Sequence, residues 1–267
     1  MPELAEVEVV RRNLQRWWEG RAAHQVCVFD EQLLRQTPPD ALTEALTTPL
    51  TKAGRRGKYL LCHFATGQVL VLHFRMTGKV ICSDVAEPAY ARLSWYIEGQ
   101  GWLVFKDQRR LGRARLLEAD EFDAYEPLQK MGPEPEDVTT EDLQNACTDR
   151  RLLKTALLDQ SIVAGVGNIA VSEIFWRLKL PPRITCGQLD EPDWQRLVEV
   201  MPQYFEEIIE RSMADEILYL EEGEMEDIFE VYGHEGDDCP RCAGEIKKQK
   251  VGGRSSYFCE TCQGLSQ

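Results

Sequence analysis

The sequence predicts an α+β protein in which one helix precedes an antiparallel β-sandwich or barrel, and a helical bundle and a small β-hairpin follow. Short apolar or alternating runs separated by turn residues fill residues 22–117, as expected of antiparallel strands. Apolar residues then recur at helical spacing from Thr140 to about Arg211. Two C-x2-C pairs near the end of the chain indicate a compact cysteine module.

Residues 2–18 are predicted to form an amphipathic helix. Pro2 suits a helix start because its missing N–H costs nothing there. Glu3 and Glu6 fall in the first turn, where the helix dipole favours carboxylates. The apolar residues at helical spacing are Leu4, Val7, Val10, Leu14 and Trp17.

Turn signals such as Thr66-Gly67 and Gly99-Gln100-Gly101 divide the strand-rich region. Each run between them is short and rich in apolar or aromatic residues, which favours extended structure. The predicted strands are Val26–Phe29, Tyr59–Phe64, Gln68–Phe74, Leu93–Ile97 and Trp102–Lys106.

The acidic stretch Gln129–Asp137 contains two prolines and a glycine, which predicts a linker between two folded parts. Within the helical part, Gly165-Val-Gly-Asn168 separates two apolar helical faces. We therefore expect four segments, namely an N-terminal domain (1–128), a linker (129–139), a helical domain (140–230) and a cysteine module (231–267).

The net charge of −14 over 267 residues argues at first against a nucleic-acid partner. The acidic residues are concentrated, however. Glu118–Asp142 holds ten acidic residues and one basic residue. Asp190–Asp238 holds eighteen acidic residues and two basic residues. The rest of the chain is therefore net positive, and a basic face remains available to a polyanion.

The composition also indicates the compartment. No stretch approaches the ~20 apolar residues that a membrane span needs, and the acidic first residues do not resemble a signal peptide. Nine cysteines, of which five are scattered, do not suggest a disulfide framework. We expect a cytoplasmic protein without a membrane partner.

The four remaining cysteines, Cys239, Cys242, Cys259 and Cys262, have the spacing of a tetrahedral zinc site. A redox pair of C-x2-C motifs is the alternative, and one structural zinc ion is favoured. Basic residues between the pairs either face solvent or let the hairpin contact phosphate. Composition alone does not separate these two roles.

Six segments together resemble the formamidopyrimidine-DNA glycosylase and endonuclease VIII family, and formamidopyrimidine-DNA glycosylase more closely. They run from end to end of the chain, so a chance match of all six is negligible. The segments are Met1-Pro-Glu-Leu-Ala-Glu6, Gly54-Arg-Arg-Gly-Lys58-Tyr59, His73-Phe-Arg-Met76-Thr-Gly78, Asp107-Gln-Arg-Arg-Leu-Gly-Arg113, Asp159–Asn168 and Gly252-Gly-Arg254 with Cys259 and Cys262.

The resemblance implies a β-sandwich, a helix–two-turns–helix bundle and a zinc-finger hairpin. It also implies a bifunctional glycosylase and abasic-site lyase that removes oxidised or ring-opened bases from damaged double-stranded DNA in the bacterial cytosol, associated with the nucleoid, as a monomer. Pro2, once Met1 is removed, is the implied nucleophile that forms a Schiff base. Glu3 is the implied acid and base, Lys58 a further catalytic residue and Glu6 an orienting group.

DNA contacts are implied for a further set of residues. Met76 fills the space left by the extruded base, and Arg110 and Leu111 enter from the opposite strand. Phosphate contacts are implied for Lys58, His73, Asn168, Tyr232 and Arg254. Without the resemblance, Met76 would be interpreted as a core residue and Glu6 as a first-turn acid.

Three departures from the family pattern stand out. Ala5 replaces the usual proline, and Leu111 replaces phenylalanine, which weakens stacking. Ala214–Asp238 is acidic and apolar-periodic where relatives carry a flexible capping loop, so a shortened or helical cap is expected. This argues against a preference for 8-oxoguanine and leaves ring-opened purines and oxidised pyrimidines as alternatives.

Two other functions remain as alternatives. One is a catalytically silent protein of the same fold that binds damaged DNA or unusual DNA structures, which the net charge and the altered cap would suit. The other is an RNA-binding zinc protein, which would leave the Pro2-Glu3 start unexplained.

Overall fold

The computed structural model describes residues 2–213, 228–242 and 244–264. These residues form two compact units. The first unit holds residues 2–129 and 212–213, and the second holds 130–211, 228–242 and 244–264. Within these ranges, no helix combines the length and the apolarity that crossing a bilayer would require.

The first unit contains, within its described residues, two four-stranded antiparallel sheets and four α-helices. The sheet orders are β1-β6-β7-β5 and β2-β3-β4-β8. The strands are β1 (Ala23–Val28), β2 (Leu50–Arg56), β3 (Tyr59–Phe64), β4 (Val69–His73), β5 (Gly78–Ser83), β6 (Ala91–Ile97), β7 (Gly101–Asp107) and β8 (Arg113–Leu117). The helices are α1 (Leu4–Trp17), α2 (Pro39–Leu46), α3 (Ala119–Asp123) and α4 (Glu126–Gln129).

A tryptophan joins the two sheets of this unit. The buried Trp18 ring lies 5.6 Å from Phe64 of β3 and 5.1 Å from Trp95 of β6, measured between centroids. Aromatic pairs at this separation add ~1 kcal/mol to the free energy gained by burial. The predicted mixed fold is confirmed, with the core between the two sheets.

The second unit contains helices and a β-hairpin. The helices are α5 (Thr140–Ala146), α6 (Leu153–Leu157), α7 (Asn168–Leu178) and α8 (Glu191–Ser212), and the strands are β9 (Ile246–Val251) and β10 (Arg254–Cys259). Gly252 and Gly253 form the hairpin turn with φ of +58° and +80°, which glycine adopts at little cost. The hairpin inferred from the cysteine module is thereby confirmed.

The hairpin packs on the helices of its own unit. Lys154 of α6 is buried and donates to the Ser255 carbonyl at 2.8 Å and to Ser256 Oγ at 2.6 Å. A Cβ on Gly252 would lie 2.4 Å from Thr155 Cγ2. The turn therefore needs glycine for close contact with α6 as well as for its backbone conformation.

Candidate active site and nucleic-acid interface

The start of α1 brings Pro2, Glu3 and Glu6 together in a buried position. Glu3 is the N-cap residue, so Pro2 precedes the helix instead of forming its first turn, which corrects the sequence prediction. The Glu6 carboxylate accepts the Glu3 backbone N–H at 2.6 Å as half of a capping box. The box satisfies N–H groups that the helix leaves unpaired, and it fixes the backbone on either side of Glu3.

Burial raises the pKa of Glu6 to about 7, and the nearby Glu3 carboxylate adds to the increase. The Glu6 carboxyl group therefore retains a proton close to neutral pH.

Replacing Glu6 by glutamine is expected to remove a pH dependence of stability. The folded pKa of about 7 exceeds the ordinary value of 4.5, so the native state binds a proton more tightly than the unfolded state. The wild type therefore loses up to about 3 kcal/mol relative to the Glu6→Gln variant as pH rises from 4.5 through 7. Urea unfolding between pH 4.5 and 8 measures this difference.

The matched control for that comparison is Glu44→Gln, because Glu44 is an exposed glutamate of the same unit. Its unfolding free energy should follow that of the wild type at every pH. Parallel curves for the wild type and the Glu6→Gln variant would contradict the assignment of the raised pKa.

Lys58 lies in the two-residue turn between β2 and β3, and a partly buried ion pair ties this turn to α1. Arg55 Nε is 3.3 Å from Glu8 Oε2, and Arg55 Nη1 donates to the Gly57 carbonyl at 3.2 Å. Glu8 also pairs with Arg11 at 2.8 Å and with Arg12 at 2.9 Å, so it forms the centre of a small ion-pair cluster. Glu8 and Arg55, which sequence reasoning did not single out, thus hold the Lys58 turn against the helix that begins next to Pro2.

His73, at the end of β4, is neutral at physiological pH. Burial together with Arg75, Lys58 and Arg113 lowers the pKa of His73 to about 3. Its Nδ1 accepts the Arg75 backbone N–H at 3.0 Å, so Nε2 carries the ring proton and is a donor. Lys58 and His73 are therefore neighbours that together offer a charged donor and a neutral donor.

A cavity of about 510 Å³ adjoins His73 in the first unit. Its wall includes Arg35, Arg113 and Arg115, and Tyr59 contributes an aromatic face. Guanidinium groups on a concave surface suit phosphate oxygens. The surroundings of His73 are thus electropositive although the whole chain is acidic.

Met76 lies on an exposed, tight turn between β4 and β5. Its side chain is 37% exposed, which is unusual for a methionine. The Gly78 N–H donates to the Phe74 carbonyl at 2.9 Å, and a Cβ on Gly78 would lie 2.5 Å from that same oxygen. The turn therefore requires glycine, and it presents Met76 to solvent instead of the core.

Arg110 and the 41% exposed Leu111 lie on the loop between β7 and β8. The buried Asp107 carboxylate organises this loop by accepting the Gly112 N–H at 2.6 Å and the Thr77 hydroxyl. Because Thr77 follows Met76, one carboxylate joins the turn that carries Met76 to the loop that carries Arg110 and Leu111. Asp107 begins the segment Asp107–Arg113 that resembles the family, but the sequence pattern assigns it no role.

Asn168 begins α7 in the second unit and contacts the hairpin. Its Nδ2 donates to the Ser255 carbonyl at 3.0 Å, and its buried Oδ1 has no hydrogen-bond partner among the described residues. Arg254, the neighbour of Ser255, is exposed next to the hairpin turn. Asn168 and Arg254 are thus brought close to each other, while Lys58 and His73 belong to the first unit.

Tyr232 is held by a glutamate that the sequence did not reveal. The fully buried Glu173 carboxylate of α7 accepts backbone N–H groups from Glu230, Val231 and Tyr232 at 2.9–3.0 Å. Burial raises the pKa of Glu173 in spite of these bonds. The Tyr232 ring then lies 4.8 Å from that of Tyr257 on β10.

The four C-x2-C cysteines form a zinc-finger site. Their sulfur atoms all lie within 4.8 Å of one another, with Cys239 Sγ 3.8 Å from Cys262 Sγ and Cys242 Sγ 3.5 Å from Cys259 Sγ. A tetrahedral ion with Zn–S bonds of about 2.3 Å places sulfur atoms about 3.8 Å apart. The donor set and its spacing therefore fit zinc, as the sequence predicted.

Residues outside the sulfur cluster support one of its members. Trp176 Nε1 of α7 donates to Cys239 Sγ at 3.4 Å, and the Arg241 guanidinium lies 3.9 Å from the centre of the Trp176 ring. Donors to ligand sulfur orient the ligand and tune the metal. The zinc site is thus joined to the helical part of its unit.

The predicted cap at Ala214–Asp238 falls partly outside the described residues, which exclude 214–227. Its remaining part contains Ile228 and Phe229, which are buried.

Comparison with known families gives three matches along the chain. Residues 1–114 match the "Formamidopyrimidine-DNA glycosylase N-terminal domain", and residues 131–219 match the "Formamidopyrimidine-DNA glycosylase H2TH domain". Residues 236–264 match the "Zinc finger found in FPG and IleRS".

Individual proteins are similar over nearly the whole chain. Formamidopyrimidine-DNA glycosylases of Streptococcus mutans and Pelotomaculum thermopropionicum are each 34% identical, with 98% of this chain and 99% of each relative aligned. The crystal structure of Lactococcus lactis FPG with DNA containing an oxidised pyrimidine has a TM-score of 0.86 at 32% identity, covering 98% of this chain and 100% of that one. The structure of the same enzyme with DNA containing N7-benzyl-Fapy-dG has a TM-score of 0.84 at 31% identity and covers 98% of this chain and 100% of that one.

Proposed function

This chain belongs to the formamidopyrimidine-DNA glycosylase family, and from that premise we propose that it is a bifunctional base-excision-repair enzyme. It removes oxidised or ring-opened bases from damaged double-stranded DNA and then cleaves the strand at the abasic site. The observation that carries the proposal is the buried start of α1, where Pro2 adjoins Glu3 and the raised-pKa carboxyl of Glu6.

Removal of Met1 leaves Pro2 with a secondary amine, and because the pKa of an α-amino group is about 8, a useful fraction of it is unprotonated near pH 7. The N-terminal end of α1 lowers that pKa further. The nitrogen lone pair attacks C1′ of the deoxyribose, and the bond from C1′ to the base breaks with its electron pair leaving on the base. Glu3 donates a proton to the sugar ring oxygen, the ring opens, and loss of the amine proton gives an iminium ion.

The iminium ion withdraws electrons from the sugar. A proton leaves C2′, and the electron pair expels the 3′ phosphate, which breaks the strand. Loss of a proton from C4′ drives a second elimination that expels the 5′ phosphate, and water then hydrolyses the iminium ion and releases Pro2. Glu3 is adjacent to the reacting nitrogen and takes up and returns these protons, because a carboxyl group can serve both as acid and as base.

The remaining predicted residues act on the duplex. Met76 and Leu111 fill the space of the extruded base, and Arg110 contacts the base left unpaired. Lys58 holds the phosphate next to the reacting sugar, and His73 donates its neutral Nε2–H. In the second unit, Asn168, Tyr232 and Arg254 are proposed as the other phosphate contacts.

The zinc ion has a structural role in this proposal. Bound to Cys239, Cys242, Cys259 and Cys262, it supplies folding free energy to the hairpin and no chemistry. The hairpin then presents Arg254 at its turn.

Covalent trapping tests the proposal. Sodium borohydride reduces the iminium ion to a stable amine, so a damaged duplex should become linked to the protein, and mass spectrometry should locate the adduct on Pro2. An undamaged duplex is the control. Intact-protein mass should also show that Met1 is absent. Duplex binding with neither adduct nor excision on any lesion would instead support the catalytically silent DNA-binding alternative.

The domain division at 1–128, 129–139, 140–230 and 231–267 remains a proposal, as do a monomeric state and a place in the bacterial cytoplasm. A lesion panel that includes 8-oxoguanine, ring-opened purines and oxidised pyrimidines extends the trapping experiment to substrate preference.

A further inference from the structure

Three arginines converge on the cavity of about 510 Å³ that adjoins His73. Two of them, Arg113 and Arg115, alternate along β8, so their side chains lie on the same face of the sheet. His73, on the neighbouring strand β4, is paired with Arg113. Because residues paired across two strands share a face, the imidazole and both guanidinium groups belong to one wall of the cavity.

The third arginine, Arg35, lies on a segment that is bonded along β8. The Arg35 backbone N–H donates to the Ala114 carbonyl at 2.9 Å. Two residues later, the Thr37 hydroxyl accepts the Leu116 backbone N–H at 2.9 Å. The segment that carries Arg35 is therefore tied to the strand that carries the other two arginines.

These three guanidinium groups are not neutralised by the protein. Within the part of the chain that the structure describes, none of them forms an ion pair with a carboxylate, and no lining residue of the cavity is acidic. The chain nevertheless holds 45 acidic residues. The Arg115 guanidinium lies 5.3 Å from the centre of the Tyr125 ring, a cation–π contact that holds it without cancelling its charge. Like charges around one cavity repel one another, and a bound anion relieves that repulsion.

Neutral groups complete the wall. His73 presents its Nε2–H, because its Nδ1 accepts the Arg75 N–H. The Tyr59 ring meets the His73 ring edge-on, with centroids 4.6 Å apart, and offers an aromatic surface. The volume of about 510 Å³ falls within the ~300–1,000 Å³ of small-molecule sites. The cavity therefore suits an organic anion with an aromatic part.

The charge of the wall favours a phosphomonoester over a phosphate within a DNA strand. A phosphomonoester carries a charge of about −1.5 to −2 at pH 7 and three acceptor oxygens, whereas each strand phosphate carries a single charge. Arginine donates through a planar fork that matches phosphate oxygens two at a time. Three guanidinium groups and an imidazole N–H thus match the more highly charged group.

We propose that this cavity is a binding site for the phosphomonoester group of a nucleotide, held by Arg35, Arg113 and Arg115 with the nucleoside beside Tyr59. A free mononucleotide and the phosphate end of a cleaved strand share this chemistry. The site is additional to the strand-phosphate contacts proposed above, with which it shares His73. It does not depend on glycosylase activity, although the two proposed eliminations produce strand ends that carry this group.

Calorimetric titration of the full-length protein with thymidine 5′-monophosphate tests the site without damaged DNA. One molecule should bind per chain. Thymidine, which lacks the phosphate, and a thymidine dinucleotide, whose phosphate is a diester, should each bind at least about 10-fold more weakly. A hydrogen bond between charged groups contributes about that factor or more.

Arg113→Gln should weaken binding of the monophosphate by about 10-fold or more, because it removes one charged donor. Arg113 is exposed, so the variant should fold, and an unchanged melting temperature verifies this. The matched control is Arg21→Gln, which makes the same substitution at an exposed arginine of the first unit outside the cavity. It should keep the wild-type affinity.

Nicked duplexes with either a 5′ phosphate or a 5′ hydroxyl group at the nick distinguish the two sources. Tighter binding of the phosphorylated nick, lost in Arg113→Gln, assigns the site to strand ends. Equal binding of the two nicks, beside tight binding of the monophosphate, assigns it to free nucleotides.

Three results would overturn the inference. The first is that neither the monophosphate nor the phosphorylated nick binds more tightly than its counterpart without a phosphomonoester. The second is that Arg113→Gln binds both as the wild type does. The third is that Arg254→Gln, in the second unit, loses monophosphate binding while Arg113→Gln keeps it. Failure of the proposed function is separate, since it shows as absent excision and absent trapping on lesion duplexes.

Discussion

Replacing Glu3 by glutamine is expected to slow base excision by at least ~100-fold, which is the scale of losing a positioned acid–base group. Glutamine keeps an acceptor oxygen for the N-cap position, so α1 should remain folded, but it neither gives nor takes a proton. Single-turnover excision on a lesion-bearing duplex measures the chemical step directly. Affinity for the same duplex should change far less, because contacts to the DNA phosphates dominate affinity and Glu3 makes none of the proposed phosphate contacts.

Glu44→Gln provides the control, since it makes the same substitution at an exposed position of the first unit. Pro2→Gly is the companion variant. It should show a comparable loss of excision and a lower yield of the borohydride-trapped adduct. Glycine replaces the secondary amine by a primary amine and makes the backbone at this position more mobile. Excision at the wild-type rate by the Glu3→Gln protein would refute the proposed role of Glu3.

Loss of the zinc ion is expected to abolish the structure of the β9–β10 hairpin and to weaken DNA binding severely. A structural zinc ion contributes an apparent ~10–16 kcal/mol to small cysteine modules, more than the whole stability of many domains. Cys259→Ser removes a fully buried ligand. Bound zinc, measured by a colorimetric chelator, should fall from one ion per chain to near none, and duplex affinity should fall with it.

The control is Cys82→Ser, because Cys82 lies on β5 of the first unit and outside the sulfur cluster. It should retain one zinc ion and wild-type affinity. Chelation of the wild type should reproduce the Cys259→Ser result, and re-addition of zinc should reverse it. Unchanged duplex affinity after complete removal of zinc would show that the hairpin does not contribute to binding.

Features encoded by neighbouring residues were predictable from the sequence. The cysteine spacing and the Gly252-Gly253 pair were sufficient for the zinc-finger hairpin, because ligand spacing and turn conformation are local properties. Helical periodicity likewise predicted α1. The strands β2, β5 and β8 were missed. In β2 and β8, basic residues occupy many positions, Lys52 and Arg55 among them, and so mask the apolar alternation.

Features that join distant residues were not predictable. Asp30 and Arg110, which form an ion pair, are 80 positions apart, and Glu8 and Arg55 are 47 apart. Glu173 accepts backbone N–H groups from residues 57–59 positions later. No local pattern marks such partners, since each acid alone would be interpreted as a surface residue. Only the fold brings each carboxylate within hydrogen-bond distance of its arginine or backbone N–H donors.

The neutral state of His73 has a consequence for how the protein responds to ionic strength. A cationic side chain that meets a phosphate releases a condensed counterion, and each such contact adds roughly −0.9 to the logarithmic salt slope on duplex DNA. Lys58 and Arg254 would contribute to this slope, whereas an uncharged imidazole would not. His73 would therefore add directional bonding that persists at high salt, and mild acidification would leave that share of the affinity unchanged.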